Sequence, residues 1–300
     1  MFAIFTILIS LSISMKNDHP QQPIDTAQMR KEILAEFAKQ PAGTFAVAFK
    51  NLSTGQEFLM NAHESFHAAS TMKTAILIET FKQAAEHKFS LTDSILIENK
   101  FKSIVDGSPF SVDSADDSEK DLYSHIGTKL PIKDLLYRMI TESSNFATNL
   151  IVDLVGAKNA NKTMHEIGAT DIKVLRGVED NKAFQLGLNN TVTAYDLMVI
   201  FEHIANGTVV NKKACDAMIQ ILMHQHFREK IAAKLPSDVI TATKSGWIDK
   251  ISHDSGIVFL PDGRKYVIVL LSRGIEDEKA ANETLATVSR IIYDYVVSGK

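Results

Sequence analysis

The 300-residue chain holds a single cysteine, Cys215. One thiol closes no intrachain disulfide and supplies neither a Cys-rich zinc site nor a disulfide scaffold, so the fold has to rest on its core. A basic excess is also missing: 32 Lys and Arg stand against 36 Asp and Glu, a net charge of −4. Without a basic footprint there is nothing to neutralise a phosphate backbone, which excludes nucleic acid as the main partner. An apolar run of the roughly 20 residues that cross a bilayer is absent as well. The nearest approach is Met1 to Ser14, which carries no charge and ends in Ser12-Ile13-Ser14 before Met15-Lys16. Small residues where a signal peptidase would cut predict an export signal and spacer over 1–20, although no Lys or Arg precedes the run. No cysteine follows it to take a lipid. The expectation is therefore a periplasmic or secreted protein without stable membrane insertion after processing. Hydrophobic residues at 45% and charged ones at 23% are those of a soluble globular protein and exclude a disordered one.

Periodicity organises the rest. Asp25 to Lys39 has helical spacing at Met29, Ile33, Leu34 and Phe37, and Pro41 closes it. Thr44–Lys50 and Gln56–Met60 read as strands around a turn at 51–55. A long helix is predicted from Ser70, further helix over 132–155, a Thr193/Asp196-capped helix over 193–205, and another over 213–235. Strand signals return at 239–244, 252–260 and 265–272, with Pro261-Asp262-Gly263 as a hairpin turn, before a last amphipathic helix over 279–297. Strands near both ends with helices between them predict an α/β chain of α+β type. Its antiparallel sheet, flanked by helices, is completed by the two ends of the chain (25–69 and 236–300) and carries an inserted all-helical lobe over 70–235. A cleft between the lobes is the default place for a site. Residues 111–121, SVDSADDSEKD, read as a solvated acidic loop.

Three short motifs carry chemistry. Ser70-Thr71-Met72-Lys73 places a hydroxyl and an amine on one helix face. A serine is a poor nucleophile until a base takes its proton, and a desolvated lysine is such a base. At a helix N-terminus the Ser70 N–H is also free to hold an oxyanion. Ser143-Ser144-Asn145 presents a hydroxyl and a carboxamide at the end of a helix. Lys244-Ser245-Gly246 closes a strand run. There the Gly admits a ligand to the strand edge, the Lys meets a carboxylate, and the next N–H completes an oxyanion hole. Each pattern alone is weak; the three in this order on these elements are jointly specific.

With these motifs the chain resembles the class A serine β-lactamases and, more broadly, the penicillin-recognising serine transferases and hydrolases, over nearly its whole length from Asp25. The resemblance implies Ser70 as acylated nucleophile, Lys73 as its proton partner and Ser143 as proton shuttle to the leaving nitrogen. It implies Asn145 for the substrate amide, Lys244 and Ser245 for the substrate carboxylate, Gly246 in the motif strand, and the Ser70 and Trp247 N–H groups as the oxyanion hole. Class A enzymes also carry a water-activating carboxylate in an E-x-x-L-N pattern. Here the matching region reads Arg176-Gly177-Val178-Glu179-Asp180-Asn181, and the Asn position is Ala183. Glu179 is the candidate base, with Asn181, Gln185 or Asn189 as replacements for the missing amide; the other reading makes it a loop carboxylate paired with Arg176. Further departures are Ser144, where class A has Asp, and bulky Trp247, where it has a small residue.

Rival sites are weaker. His224-Gln225-His226 has no third ligand cluster, so no metal is expected. His165-Glu166 reads as helix-end polarity and Cys215 as a packing residue. The expected protein is an exported, monomeric, cofactor-free hydrolase acting on a small β-lactam or a cell-wall-peptide-like substrate. The alternatives are a peptidase or esterase with the same machinery, and a β-lactam-binding protein that acylates without turnover.

Overall fold

The computed structural model describes residues 25–298; the expected export signal over 1–20 lies outside them. Five strands form one antiparallel sheet: β1 (Thr44–Asn51), β2 (Glu57–Met60), β3 (Ile240–Ile248), β4 (Ile251–Phe259) and β5 (Lys265–Arg273), in the order β2-β1-β5-β4-β3. Thr44 of β1 faces Arg273 of β5, so the first and last strands of the sequence meet in its middle. This is the expected α+β architecture, except that the inserted lobe is not all-helical: Ser94–Leu96 pairs with Lys129–Pro131 and Phe101–Lys102 with Pro109–Phe110.

Alternation along β1 decides what covers each face. Phe45, Val47 and Phe49 point into a core made with α1 (Thr26–Phe37) and α9 (Glu278–Ser298), while Ala46 and Ala48 join the core under the helical block. On β5, Tyr266, Ile268 and Leu270 take the first side and Val267, Val269 and Leu271 the second. A central strand covered on both faces reads as an unbroken apolar run, which is why 265–272 is legible as a strand.

The helical block is built around α2 (Lys73–Ala85), whose residues 73–81 are all buried. A helix apolar nearly all round belongs at a centre. Around it stand α3 (Ile132–Thr141), α4 (Asn145–Val155), α5 (Ala157–Glu166), the short α6 (Asn181–Gln185), α7 (Ala194–Asn206) and α8 (Lys212–Met223). The Thr193 hydroxyl caps α7 by accepting from the Asp196 N–H at 3.0 Å.

Four further expectations are corrected. The helix over 132–155 is two, broken at 142–144, because the Ser144 hydroxyl accepts from the Ala147 N–H and starts α4 afresh. The helix over 213–235 stops at Met223; Gln225 leaves it to donate to the Ile140 carbonyl. Ser70 lies on a 3-10 turn, Ala69–Met72, which leads into α2. Lys244-Ser245-Gly246 sits inside β3 and does not end it, since β3 runs on to Ile248 in register with β4.

Candidate active site

The nucleophile turn is clamped from below. The Ala69 N–H donates to His67 Nδ1 at 3.0 Å, and the buried His253 on β4 contacts the His67 carbonyl through Nε2 at 2.9 Å. Phe66–His67 pairs with Thr191–Val192, and the Ala68 N–H donates to the Asn190 carbonyl, so the turn is tied to the loop that carries Glu179. Ala69 holds φ +44, a left-handed conformation that an L side chain tolerates only when its surroundings enforce it.

Lys73 lies fully buried beneath the half-buried Ser70. All of its hydrogen-bonding acceptors are on the 143–145 turn: the Ser143 carbonyl at 2.5 Å, Asn145 Oδ1 at 3.0 Å, Ser143 Oγ at 3.3 Å and the Ser144 carbonyl at 3.4 Å. Burial pushes its pKa down to about 7 against the opposing pull of Asp117 and Glu179. Lys244, equally buried, donates to Ser143 Oγ at 3.0 Å and to the Ser245 carbonyl at 2.8 Å. Burial first, and then the Lys73 charge, hold it well below the usual lysine range. Ser143 Oγ thus accepts from two lysine amines. With both lone pairs engaged, its own O–H is the one direction left to offer a proton.

Asn145 joins the two halves of the site: Oδ1 accepts from Lys73 and Nδ2 donates to Glu179 Oε1 at 2.6 Å. Glu179 is half-buried at φ +60, and burial raises its pKa despite the Asn145 bond. The expected alternative pairing with Arg176 is not made. Arg176 instead donates to the Leu188 and Gly177 carbonyls and to Asn189 Oδ1, bracing the loop internally. Asn149 bonds the Val178 backbone at both N–H and carbonyl, and a Cβ on Gly177 would stand 2.1 Å from its Oδ1, so only glycine lets α4 and the loop approach so closely. Ala183 is buried and offers no amide. Of the proposed replacements, Asn181 lines the cavity, Gln185 is exposed, and Asn189 is engaged by Arg176.

On the opposite wall a Cβ on Gly246 would meet the Ser70 nitrogen at 2.9 Å, which explains the glycine beside the nucleophile. Ser245 Oγ is buried without a hydrogen-bond partner. Trp247 packs on Phe227, ring centroids 4.6 Å apart, and lines the cavity with Ile248. The cavity measures about 520 Å³ and reaches Ser70, Ser143, Asn145, Glu179 and Trp247.

The tract 111–121 is not a solvated loop throughout. Asp117 is 3% exposed and Glu119 2%, while Asp116 and Ser118 line the cavity. Buried carboxylates require partners, and Arg138 supplies Glu119's at 2.8 Å. His67, His253 and Asp117 were not singled out by the sequence, and no local pattern marks them. Among the described residues no His, Cys, Asp and Glu group could hold a metal; His224 bonds the Gln220 carbonyl, and Cys215 is buried.

A profile of the beta-lactamase enzyme family matches residues 28–296. The chain belongs to that family. A beta-lactamase from Bacteroides uniformis is 25% identical over 261 residues, covering 80% of this chain and 82% of the relative. The crystal structure of a beta-lactamase from Sphaerobacter thermophilus superposes with TM-score 0.78 at 23% identity, over 92% of this chain and 98% of the other. A PBP-A variant in acyl-enzyme complex with penicillin-G gives TM-score 0.77 at 24% identity, over 93% and 99%. Membership in the beta-lactamase family supports a hydrolase acting on β-lactams; at these identities the superpositions speak for the fold alone.

Proposed function

We propose that the protein opens β-lactams by the serine acyl-enzyme route of class A enzymes and then hydrolyses the ester. The observation that carries this is Ser143 Oγ held between Lys73 and Lys244, with Asn145 bridging Lys73 to Glu179. Neutral Lys73 would take the Ser70 proton as Oγ attacks the lactam carbonyl, and the oxyanion would sit on the Ser70 and Trp247 N–H groups. The amide C–N bond breaks, and Ser143 would hand its proton to the leaving nitrogen and recover one from the adjacent ammonium. Lys244 and the unpartnered Ser245 hydroxyl suit the substrate carboxylate, and Asn145 its amide. In the second half, Glu179 would take a proton from water as its oxygen attacks the ester carbonyl; the acyl C–O bond to Ser70 then breaks, and the proton held by Glu179 is passed back to the departing Ser70 oxygen, which leaves both groups as they began. A raised pKa suits a base that must also release the proton.

The second reading, a protein that acylates and stalls, is favoured by one observation: the buried Ala183 gives the hydrolytic water no amide. Mixing the protein with a chromogenic cephalosporin while weighing it intact separates the two. Steady turnover, lost in Ser70→Ala, is the expected result, with Glu179→Gln accumulating an acyl adduct. A permanent adduct on the parent would establish stalling, and no adduct and no turnover would turn the assignment towards a peptidase or esterase. The proposal extends to an exported monomer with lobes 25–69 plus 236–300 and 70–235, checked by N-terminal sequencing of the exported fraction and by light scattering.

A further inference from the structure

We propose that Asp117 is a positioning residue for acylation, a buried anion that sets the Ser143–Asn145 turn and the charge balance of Lys73 from the far side of that turn. The inference rests on the acylation chemistry proposed above. It begins with what the carboxylate accepts. Oδ1 takes the Asn145 N–H at 2.9 Å and the Glu119 N–H at 3.2 Å; Oδ2 takes the Phe146 N–H at 2.9 Å, the Tyr123 hydroxyl at 3.0 Å and the Ser144 hydroxyl at 3.4 Å. Five donors on one side chain that is 3% exposed leave no vacancy for solvent.

The geometry of one peptide unit shows what this does. The carbonyl of Ser144 accepts from Lys73 Nζ, and the N–H of the next residue, Asn145, donates to Asp117. In a trans peptide these two groups point in opposite directions. The Ser144–Asn145 peptide therefore lies between the cation and the anion with its dipole aligned to both. Every acceptor that Lys73 uses is on residues 143–145, and Ser143 is held there at φ +58, a conformation a serine adopts only under constraint. Asp117 fastens the α4 side of this turn at two consecutive N–H groups, where the helix dipole also favours an anion. Ser144 occupies the middle of the motif, and its hydroxyl both caps α4 and turns to Asp117. The carboxylate that orders the turn thus comes from a different loop. The same charge opposes the desolvation of Lys73, so it acts on the base as well as on the hydroxyl and amide beside it.

The test measures acylation of Ser70 against pH by intact mass in Glu179→Gln, where the acyl adduct accumulates, with and without Asp117→Asn, and records the melting temperature of parent and Asp117→Asn. Two reagents are used: a chromogenic cephalosporin for acylation, and phenylboronic acid, whose boron adds reversibly to an activated serine oxygen whatever the natural substrate and is read as an affinity by titration. If the parent binds the boronate and ignores the cephalosporin, the β-lactam reading falls, and Asp117 is judged on boronate affinity alone. The carboxamide of Asp117→Asn lacks the charge and must turn an N–H donor towards the donors around it. In that variant the Ser70 reaction is expected to be roughly ten- to a hundredfold weaker, with the acid limb moved to lower pH because Lys73 has lost an anion. A second variant, Asp117→Ser combined with Ser144→Asp, returns a carboxylate to the same place and is expected to recover at least half of the loss on a logarithmic scale. Parental reactivity in Asp117→Asn overturns the inference. So does a loss with an unmoved acid limb and no recovery in the double variant, which would mark Asp117 as structural only; if neither variant folds, the carboxylate is likewise structural and the inference falls.

Discussion

Acidification should switch off acylation without Lys73 contributing to unfolding. The drop in the Lys73 pKa from 10.5 to about 7 corresponds to roughly 5 kcal/mol against the charged form, which solvent does not screen because the residue is fully buried. If neutral Lys73 is the base, the acylation rate is flat above pH 7 and falls about tenfold per unit below it, so that at pH 5 it is down about a hundredfold. The stability consequence has the opposite window. Between pH 7 and 10.5 the unfolded chain binds the proton that the folded chain lacks, so the Lys73 contribution grows more favourable as pH rises there, and below 7 it is constant. The assay is stopped-flow acylation by a chromogenic cephalosporin from pH 5 to 9 in Glu179→Gln, where deacylation is removed. Because the Glu179 charge raises the Lys73 pKa, the limb should move to lower pH in that variant and persist. A rate independent of pH, or a limb that vanishes with Glu179, would refute the reasoning; the second result would make Glu179 the titrating group.

Gly246→Ala puts a methyl 2.9 Å from the Ser70 nitrogen and 3.1 Å from that of Thr71, both backbone, so the nucleophile turn must shift. The expected cost is about 1–3 kcal/mol in chemical denaturation, with acylation reduced at least tenfold. Two neighbouring buried groups should offset each other in acid. His253, pushed down to about 4 by burial, loses stability as pH falls from 6.5 to 4, because the unfolded chain takes up the proton first, while Asp254, pushed up to about 6 by burial, gains it between 6 and 3.8. Each effect is roughly 3 kcal/mol, so Asp254→Asn should show a melting temperature that drops more steeply than the parent's between pH 6 and 4; parallel curves would contradict the assignment.

What the sequence made legible was whatever is written in short range. The three motifs are contiguous, and the structure brings Ser70, Lys73, Ser143, Asn145, Glu179, Lys244 and Trp247 around one cavity or its floor. The break at 142–144 was hidden because the apolar spacing of α3 continues in phase into α4; only the Ser144 cap reveals it. Lys244 and Ser245 looked like a strand end because polar residues seldom occupy a strand interior, yet here both are buried within β3, where Lys244 reaches Ser143. Asp117 was unreadable for a deeper reason. An acid in a run of acids has the local signature of a solvated loop, and its burial is decided by Tyr123, Asn145 and Phe146, which fold onto it from elsewhere. The fate of Arg176 depends likewise on carbonyls it reaches across its own loop, which no spacing announces.

The pairing of Thr44 with Arg273 sets a timetable for the molecule's birth. On the ribosome, β1 can pair early with β2, but its other edge waits for β5, which is made far later along the chain. Lys244 and Gly246 come from β3, so the pocket around Ser70 cannot close until that strand has been made. Contacts so distant along the chain make folding slow and late. A product terminated before β3 therefore lacks the wall opposite Ser70, and the competence to attack a substrate is expected only once β3 and β5 have been made.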